Sequence, residues 1–284
     1  MQRNTLERCE DAISSLKQEL QELKKKYEEN QREIAFLSRP NIKKALESFN
    51  EQGSSDDNTD MKAIEEKLVH CDQERWFLKE VTGIQLTAYL KKREKKTKEA
   101  ITYSHILVGR CIFISFVVMF KTLEEQTEKC QVIHINIYTD CEDNSELMKL
   151  ISRTHKSLNL LGFFRSLSTF AEWCEYRQST FFQFMDTYPQ EVGLTPLSDY
   201  MILMNPDLPW CELILVWKII IRDDGVVIPV LDLLPKMPEQ AMALDKTGVM
   251  KNAGVNFKTL LHAVGLQEAI ENLIQSFCMK RSSD

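Results

Sequence analysis

FFRSLSTFAEWCEYRQSTFFQFMDTY, residues 163–188, holds nine aromatic side chains, more than a third of the chain's total. Turning each residue by about 100° around a helix axis puts Phe163, Leu167, Phe170, Cys174, Phe181, Met185 and Tyr188 along one line. Trp173 and Phe184 flank that line on one side, and Phe164, Ala171 and Phe182 on the other. Arg165, Ser168, Glu172, Glu175, Ser179, Gln183 and Asp186 fall opposite. The apolar arc is thus roughly half the circumference, wider than the ~100° stripe that covers a single core face. The stretch predicts a central helix that meets two surfaces. These are either two layers of its own chain or a core on one side and a partner on the other, with Phe163, Phe164, Phe170, Trp173, Arg177 and Phe181 as the contact candidates. Arg177 points into the arc, where it either snorkels to water or forms an ion pair with a partner or a neighbouring carboxylate.

Around this helix the chain reads as a repeated plan. On its C-terminal side, residues 212–222 place Leu213, Leu215, Trp217, Ile219 and Ile221 on one face of a strand. Asp224-Gly225 signals the turn, and 226–234 the returning strand. Pro229 confines that strand to a sheet edge or a bulge. A short strand is expected at 200–204, a short helix near 239–245, and a long helix over 257–278 that Gly265 interrupts. On the N-terminal side, strands are expected at 84–90, 106–121 and 130–138, followed by a helix over 144–160. The run KKREKKTK at 91–98 reads as a solvated basic connector, with nuclear localisation or phosphate contact as its functional alternatives.

The first third of the chain has a different period. Leu6, Ile13, Leu20, Tyr27 and Ile34 repeat every seven residues, interleaved with Cys9, Leu16, Leu23, Asn30 and Leu37. Charged residues border the series, as at the edges of a coiled coil. A long single helix with so narrow an apolar stripe is marginal alone, so another helix is required. The seam Leu6, Ile13, Leu16, Leu20, Leu23, Tyr27, Ile34 and Leu37 is therefore a partner-binding candidate. Asn30 is either a register pin or a tolerated defect. GSSDDNTD at 53–60 reads as a flexible acidic linker, after which Met61, Ile64, Leu68, Cys71 and Leu78 resume the heptad. The expected organisation is α+β: coiled-coil helices over 1–81, a first sheet unit over 82–160 and a second over 161–284.

Composition narrows the function. A net charge of −6 gives no global case for nucleic-acid binding. Eight scattered cysteines without a C-x-x-C fit reduced thiols. The charged N-terminus is no secretory signal, and no apolar run approaches the ~20 residues of a membrane span, so an intracellular protein without membrane contact is expected. Phosphate-loop, dinucleotide and nucleophile-elbow motifs are absent, and the five histidines have no metal-ligand spacing. No cofactor, metal, small-molecule substrate or catalytic residue is expected. Asp223-Asp224 are turn formers. Cys211, near Asn205-Pro206, leaves a degenerate ubiquitin-conjugating-like protein as an alternative, although the histidine-proline-asparagine pattern of those enzymes is missing.

Several stretches carry a resemblance. FFRSL and EW.EYR within 163–177, EL.LVW at 212–217, DDG at 223–225, LDLL at 231–234 and ALDK at 243–246 are similar to the centromere protein P family, subunits of the constitutive inner kinetochore. Thr82-Gly83-Ile84 resembles the start of that family's first domain. The resemblance implies tandem RWD domains, which are antiparallel sheets flanked by helices, behind an N-terminal coiled coil. It also implies a nuclear, centromeric location and a non-enzymatic scaffold role in chromosome segregation. The partners it implies are centromere protein O as heterodimer mate, centromere proteins Q, U and R in a larger assembly, and centromeric chromatin reached indirectly. A homodimeric coiled-coil adaptor built on RWD domains is the remaining alternative.

Overall fold

A computed structural model describes residues 2–50, 76–77, 79–125, 130–141, 144–194, 199–208, 210–243 and 245–278, with side chains up to residue 47 described at 13, 15–28 and 30–47. The expected linker at 53–60 and the resumed heptad at 61–78 lie outside the described residues, apart from 76 and 77. The chain divides into two compact units, Met1–Glu142 and Asp143–Asp284. Each is an α+β assembly around a four-stranded antiparallel meander.

In the first unit α1 (Gln2–Leu37) runs as one 36-residue helix, and α2 (Pro40–Asn50) follows after a tight corner. Pro40 explains the corner, because proline lacks an N–H and fits the first position of a helix. The sheet is β1 (Ile84–Lys96), β2 (Ala100–Cys111), β3 (Ile114–Glu125) and β4 (Cys130–Thr139), in that order. Phe36 and Ile42, from either side of the corner, are buried with Ile106, Val108 and Val117 on one face of the sheet. Arg39 ties the corner down: its guanidinium lies 5.1 Å from the Phe36 ring centre and donates to the Thr139 carbonyl at 3.2 Å.

Two expectations fail here for identifiable reasons. Residues 106–121 are not one strand but parts of β2 and β3, joined by a turn at Ile112 and Phe113 with no glycine or proline to announce it. Ile112 takes a positive φ of 53°, rare for a β-branched residue, and its N–H donates to the Gly83 carbonyl at 3.0 Å. Tertiary hydrogen bonding thus holds a turn that local propensity disfavours. The basic run is likewise not a connector. Residues 91–96 continue β1, in register with residues 101–105 of β2, because cross-strand partners offset its low strand propensity.

His105, on β2, sits in a ladder of rings across three strands. It stacks on Phe120 with ring centres 4.5 Å apart and on Tyr89 at 5.9 Å. Nδ1 is 2.8 Å from the Tyr89 hydroxyl, and Nε2 is 2.8 Å from Thr122 Oγ1. Burial, and secondarily the charge of Lys91, lowers its pKa below the ordinary 6.5, against an opposing contribution from Glu124. The folded state therefore prefers the neutral ring. The stability this gives is present above pH 6.5 and is lost as the pH falls below that value towards the folded pKa. Thermal melts from pH 7.5 to 5.5 are expected to show a smaller decline for His105→Phe than for the unaltered chain. Equal declines would show that His105 is not the group responsible.

The second unit begins with α3 (Ser145–Ser157) and α4 (Leu160–Thr187). Asn144 caps α3 by accepting from the Glu146 and Leu147 N–H groups, both at 3.1 Å. Leu158, in the left-handed region at φ 55°, ends α3, and Asn159 starts α4 by accepting from Gly162 N–H at 2.8 Å. Sequence groups the α3 segment with the first sheet. In the structure its contacts are with α4 and with the second sheet, so the boundary falls at 142/143 rather than 160. A single amphipathic helix does not specify which sheet it will cover.

The second sheet is β5 (Val192–Leu194), β6 (Tyr200–Met204), β7 (Glu212–Ile221) and β8 (Val227–Lys236). The five apolar residues read from the alternation of β7 are all buried. Pro229 lies on β8, an edge strand as its missing N–H requires. Gly225 closes the β7–β8 turn at φ 85°, and its carbonyl accepts from Ser166 of α4 at 2.7 Å. The chain ends with α5 (Glu239–Met242), α6 (Ala253–Val264), α7 (Leu266–Leu273) and a π-helical turn at Ile274–Cys278. Gly265, at φ 85°, makes the expected break. Among the described residues no helix is long and apolar enough to cross a membrane.

Candidate partner-binding surfaces

The long apolar stripe of α1 is open. Ile13, Leu16, Leu20, Leu23, Tyr27 and Ile34 are each between 52 and 65 % exposed, a continuous side of the helix without a mate in this chain's described residues. Asn30 in the same series is also exposed. The helix backbone continues through Leu6 and Cys9, whose side chains lie outside the described residues. Leu37 differs. It is half-buried and packs against the cluster around Phe36 and Ile42, so the open stripe stops one turn earlier than the heptad. The residues that anchor the stripe, Phe36 and Ile42, are absent from the predicted seam. The signal for them was the placement of Phe36, Pro40 and Ile42 about a corner, which breaks the heptad and creates a second apolar face.

The central helix divides its arc between core and surface. Phe163, Leu167, Phe170, Cys174, Phe181 and Phe184 are buried, Phe164 and Trp173 are half-buried, and Tyr176 and Phe182 are exposed. Trp217, fully buried at the middle of β7, is held by the edges of Tyr176 and Phe181, with ring centres 5.6 and 5.9 Å away. Among the described residues Arg177 has no carboxylate of its own chain within ion-pair distance, and it is half-buried. Its Nη1 donates to the Trp217 carbonyl at 2.9 Å, while Nε is buried without a hydrogen-bond partner among the described residues. A guanidinium reaching past an apolar arc to a main-chain carbonyl fastens helix to strand without an ion pair.

Cys211 is almost fully buried at the start of β7. Burial first, and the adjacent Glu212 charge second, push its thiol pKa up. A nucleophilic cysteine needs the opposite shift. The thiol of Cys174 is pushed up to about 11 and that of Cys278 to about 12, each chiefly by burial. Iodoacetamide at neutral pH is therefore expected to label the exposed Cys130 many times faster than Cys211. Comparable rates, read by peptide mass spectrometry, would reopen the thioester alternative. Among the described residues no three His, Cys, Asp or Glu side chains are grouped to hold a metal.

Comparison with known proteins decides the lineage. Residues 103–274 match the family model of the CENP-A-nucleosome distal (CAD) centromere subunit CENP-P. That span runs from β2 through α7 and includes α4 and the whole second sheet. The chain belongs to the centromere protein P family. It is 38 % identical to centromere protein P of Gallus gallus over 276 residues, covering 94 % of this chain and 95 % of that one. Against the Mus musculus protein it is 35 % identical over 282 residues, covering 93 % and 98 %. Against the Homo sapiens protein it is 34 % identical over 252 residues, covering 84 % and 86 %. Since the family model begins at residue 103, α1 and its open stripe lie outside it, whereas the whole-chain likeness to the avian and murine relatives takes in nearly the full length.

Proposed function

We propose that this chain is a non-enzymatic scaffold subunit of the inner kinetochore. Its α1 stripe forms a coiled coil with a homologous partner, centromere protein O. Each sheet with its helices serves as an RWD domain, and the resulting heterodimer presents the surface on which centromere proteins Q, U and R assemble in the nucleus at centromeric chromatin. The observation that carries this reading is the row of six large apolar side chains left open on α1 while the neighbouring corner, Phe36 to Ile42, is anchored by two buried side chains. Membership of a family of centromere subunits supplies the cellular setting. The buried, pKa-raised thiol of Cys211 supports a structural rather than a conjugating role.

Burial is the mechanism. Each large apolar side chain removed from water stabilises association by roughly 1.5–3 kcal/mol, so a seam of this length outweighs the entropy of ordering two helices. Light scattering after gel filtration gives the test, with the chain expressed alone and with centromere protein O. Self-association or poor solubility alone, and a one-to-one species together, are the expected results. A stable homodimer indifferent to the candidate partner would overturn the heterodimer in favour of a homodimeric adaptor.

A further inference from the structure

The scaffold reading leaves one surface without a role, the β1 side of the first sheet, where the basic run has become a strand. Register fixes which side chains share its outer half. Across β1, β2, β3 and β4 the paired rows are Lys91, His105, Phe120 and Ile135; then Arg93, Tyr103, Thr122 and Val132; then Lys96, Ile101, Glu124 and Cys130. Tyr89 lies on the same face one row earlier, opposite Leu107. One face thus carries three cations along its edge strand with two tyrosines set among them.

Edge lysines alone have a plain explanation, since charge on an edge strand discourages pairing with other chains. That explanation asks nothing of the aromatic residues. Glu94 is turned to the opposite face, where it accepts from Ser104 Oγ at 2.5 Å and from Lys121 Nζ at 2.7 Å. Glu124 is the acid on the tyrosine face, and it pairs with Lys91 at 3.4 Å. Among the described residues Arg93 and Lys96 have no carboxylate within ion-pair distance, so the face retains positive charge. Tyr89 is 54 % exposed even though one side of its ring is stacked on His105. Lys91 Nζ stands 3.9 Å from the centre of the Tyr103 ring. Lys91 and Arg93 are two residues apart on an extended strand, roughly 7 Å, a step that an unstacked sugar–phosphate backbone also makes from one nucleotide to the next.

We infer that this face of the first sheet binds single-stranded nucleic acid, with Lys91, Arg93 and Lys96 along the phosphates and the open side of Tyr89 as a stacking plate for a base. Interleaved cations and aromatic rings on a sheet are the arrangement that single strands use, because every base offers a π-face whatever its identity. An acidic peptide would use the cations and leave the tyrosine idle. Duplex DNA would keep its bases out of the ring's reach. Tyrosine and cations together therefore favour an unpaired strand.

The experiment is fluorescence anisotropy of the full-length chain, in complex with its co-purifying partner if it needs one, against a labelled 20-nucleotide oligouridine and against a labelled duplex of equal length. The single strand is expected to bind more tightly. Tyr89→Ala should weaken that binding on the order of tenfold. Arg93→Gln with Lys96→Gln should weaken it and lower the slope of log K against log salt by about 1.4, at about 0.7 for each phosphate no longer neutralised. Both variants lie at exposed positions, and circular dichroism would confirm that they remain folded. Absence of binding at low salt overturns the inference. So does a duplex preference, and so does single-strand binding that Tyr89→Ala leaves unchanged or that a polyglutamate peptide displaces equally well, which would mark a general anion surface.

Discussion

Replacing Leu16, Leu20 and Leu23 together by alanine is expected to weaken association through α1 by at least a thousandfold while leaving the thermal transition of the globular part in place. The three side chains occupy consecutive turns of the open stripe and are 55 to 63 % exposed in the single chain. Their loss therefore costs the free chain little, and alanine keeps helix propensity high. In a coiled coil the same groups are buried as knobs in the partner's holes. Three losses of about 1.5 kcal/mol or more reach about 4.5 kcal/mol, or about three decades in dissociation constant. Analytical ultracentrifugation of the chain with centromere protein O would read the change. An affinity within tenfold of the original would place the partner contact elsewhere, and the coil would cease to be the organising interface.

Trp217→Ala is expected to destabilise the second unit by about 3–5 kcal/mol, the range for deleting a large aromatic side chain from a core. Trp217 has no exposed surface, and Tyr176 and Phe181 of α4 pack edge-to-face with it, joining the helix to β7. Its removal would leave Tyr176 and Phe181 facing a cavity that α4 could close only by shifting along the sheet. The main-chain carbonyl that receives Arg177 survives the substitution, so the change reports packing alone. The readout is the urea midpoint at constant slope. Trp217→Phe keeps an aromatic ring and should lose less. A loss below about 1 kcal/mol for the alanine variant would mean that the helix and sheet are held by something other than this wedge.

What the sequence discloses depends on how local its causes are. The alternation of β7 and the helical spacing of α4 were legible because each element's burial repeats along its own length. Pro229 was legible as an edge residue for a similar reason: a missing N–H restricts the strand wherever it lies. The turn at Ile112 was illegible, since its backbone is held by the Gly83 carbonyl, 29 residues away in sequence. The strand character of Lys91 to Lys96 was hidden because lysine disfavours strands in isolation, and the pairing with β2 overrides that preference. The open stripe of α1 from Ile13 to Ile34 follows the heptads. Its end could not be read from them, because Leu37 is drawn into the globular core by a corner whose partners are on β2 and β3. The surface role of Tyr89 was equally hidden, since a tyrosine in a strand announces nothing until register sets it beside cations.

The buried corner has a mechanical meaning. A helix joined to its globe by a slack tether lets a pull dissipate as rotation of the tether. Here Phe36 and Ile42 grip the sheet from both sides of the bend, and Arg39 latches the bend to the Thr139 carbonyl at the end of β4. Tension along α1 would enter β2, β3 and β4 together as shear across a hydrophobic seat, not as peeling of one strand at a time. The corner converts a long arm into a lever with a fixed root, so displacement at its far end would be felt directly by the first sheet.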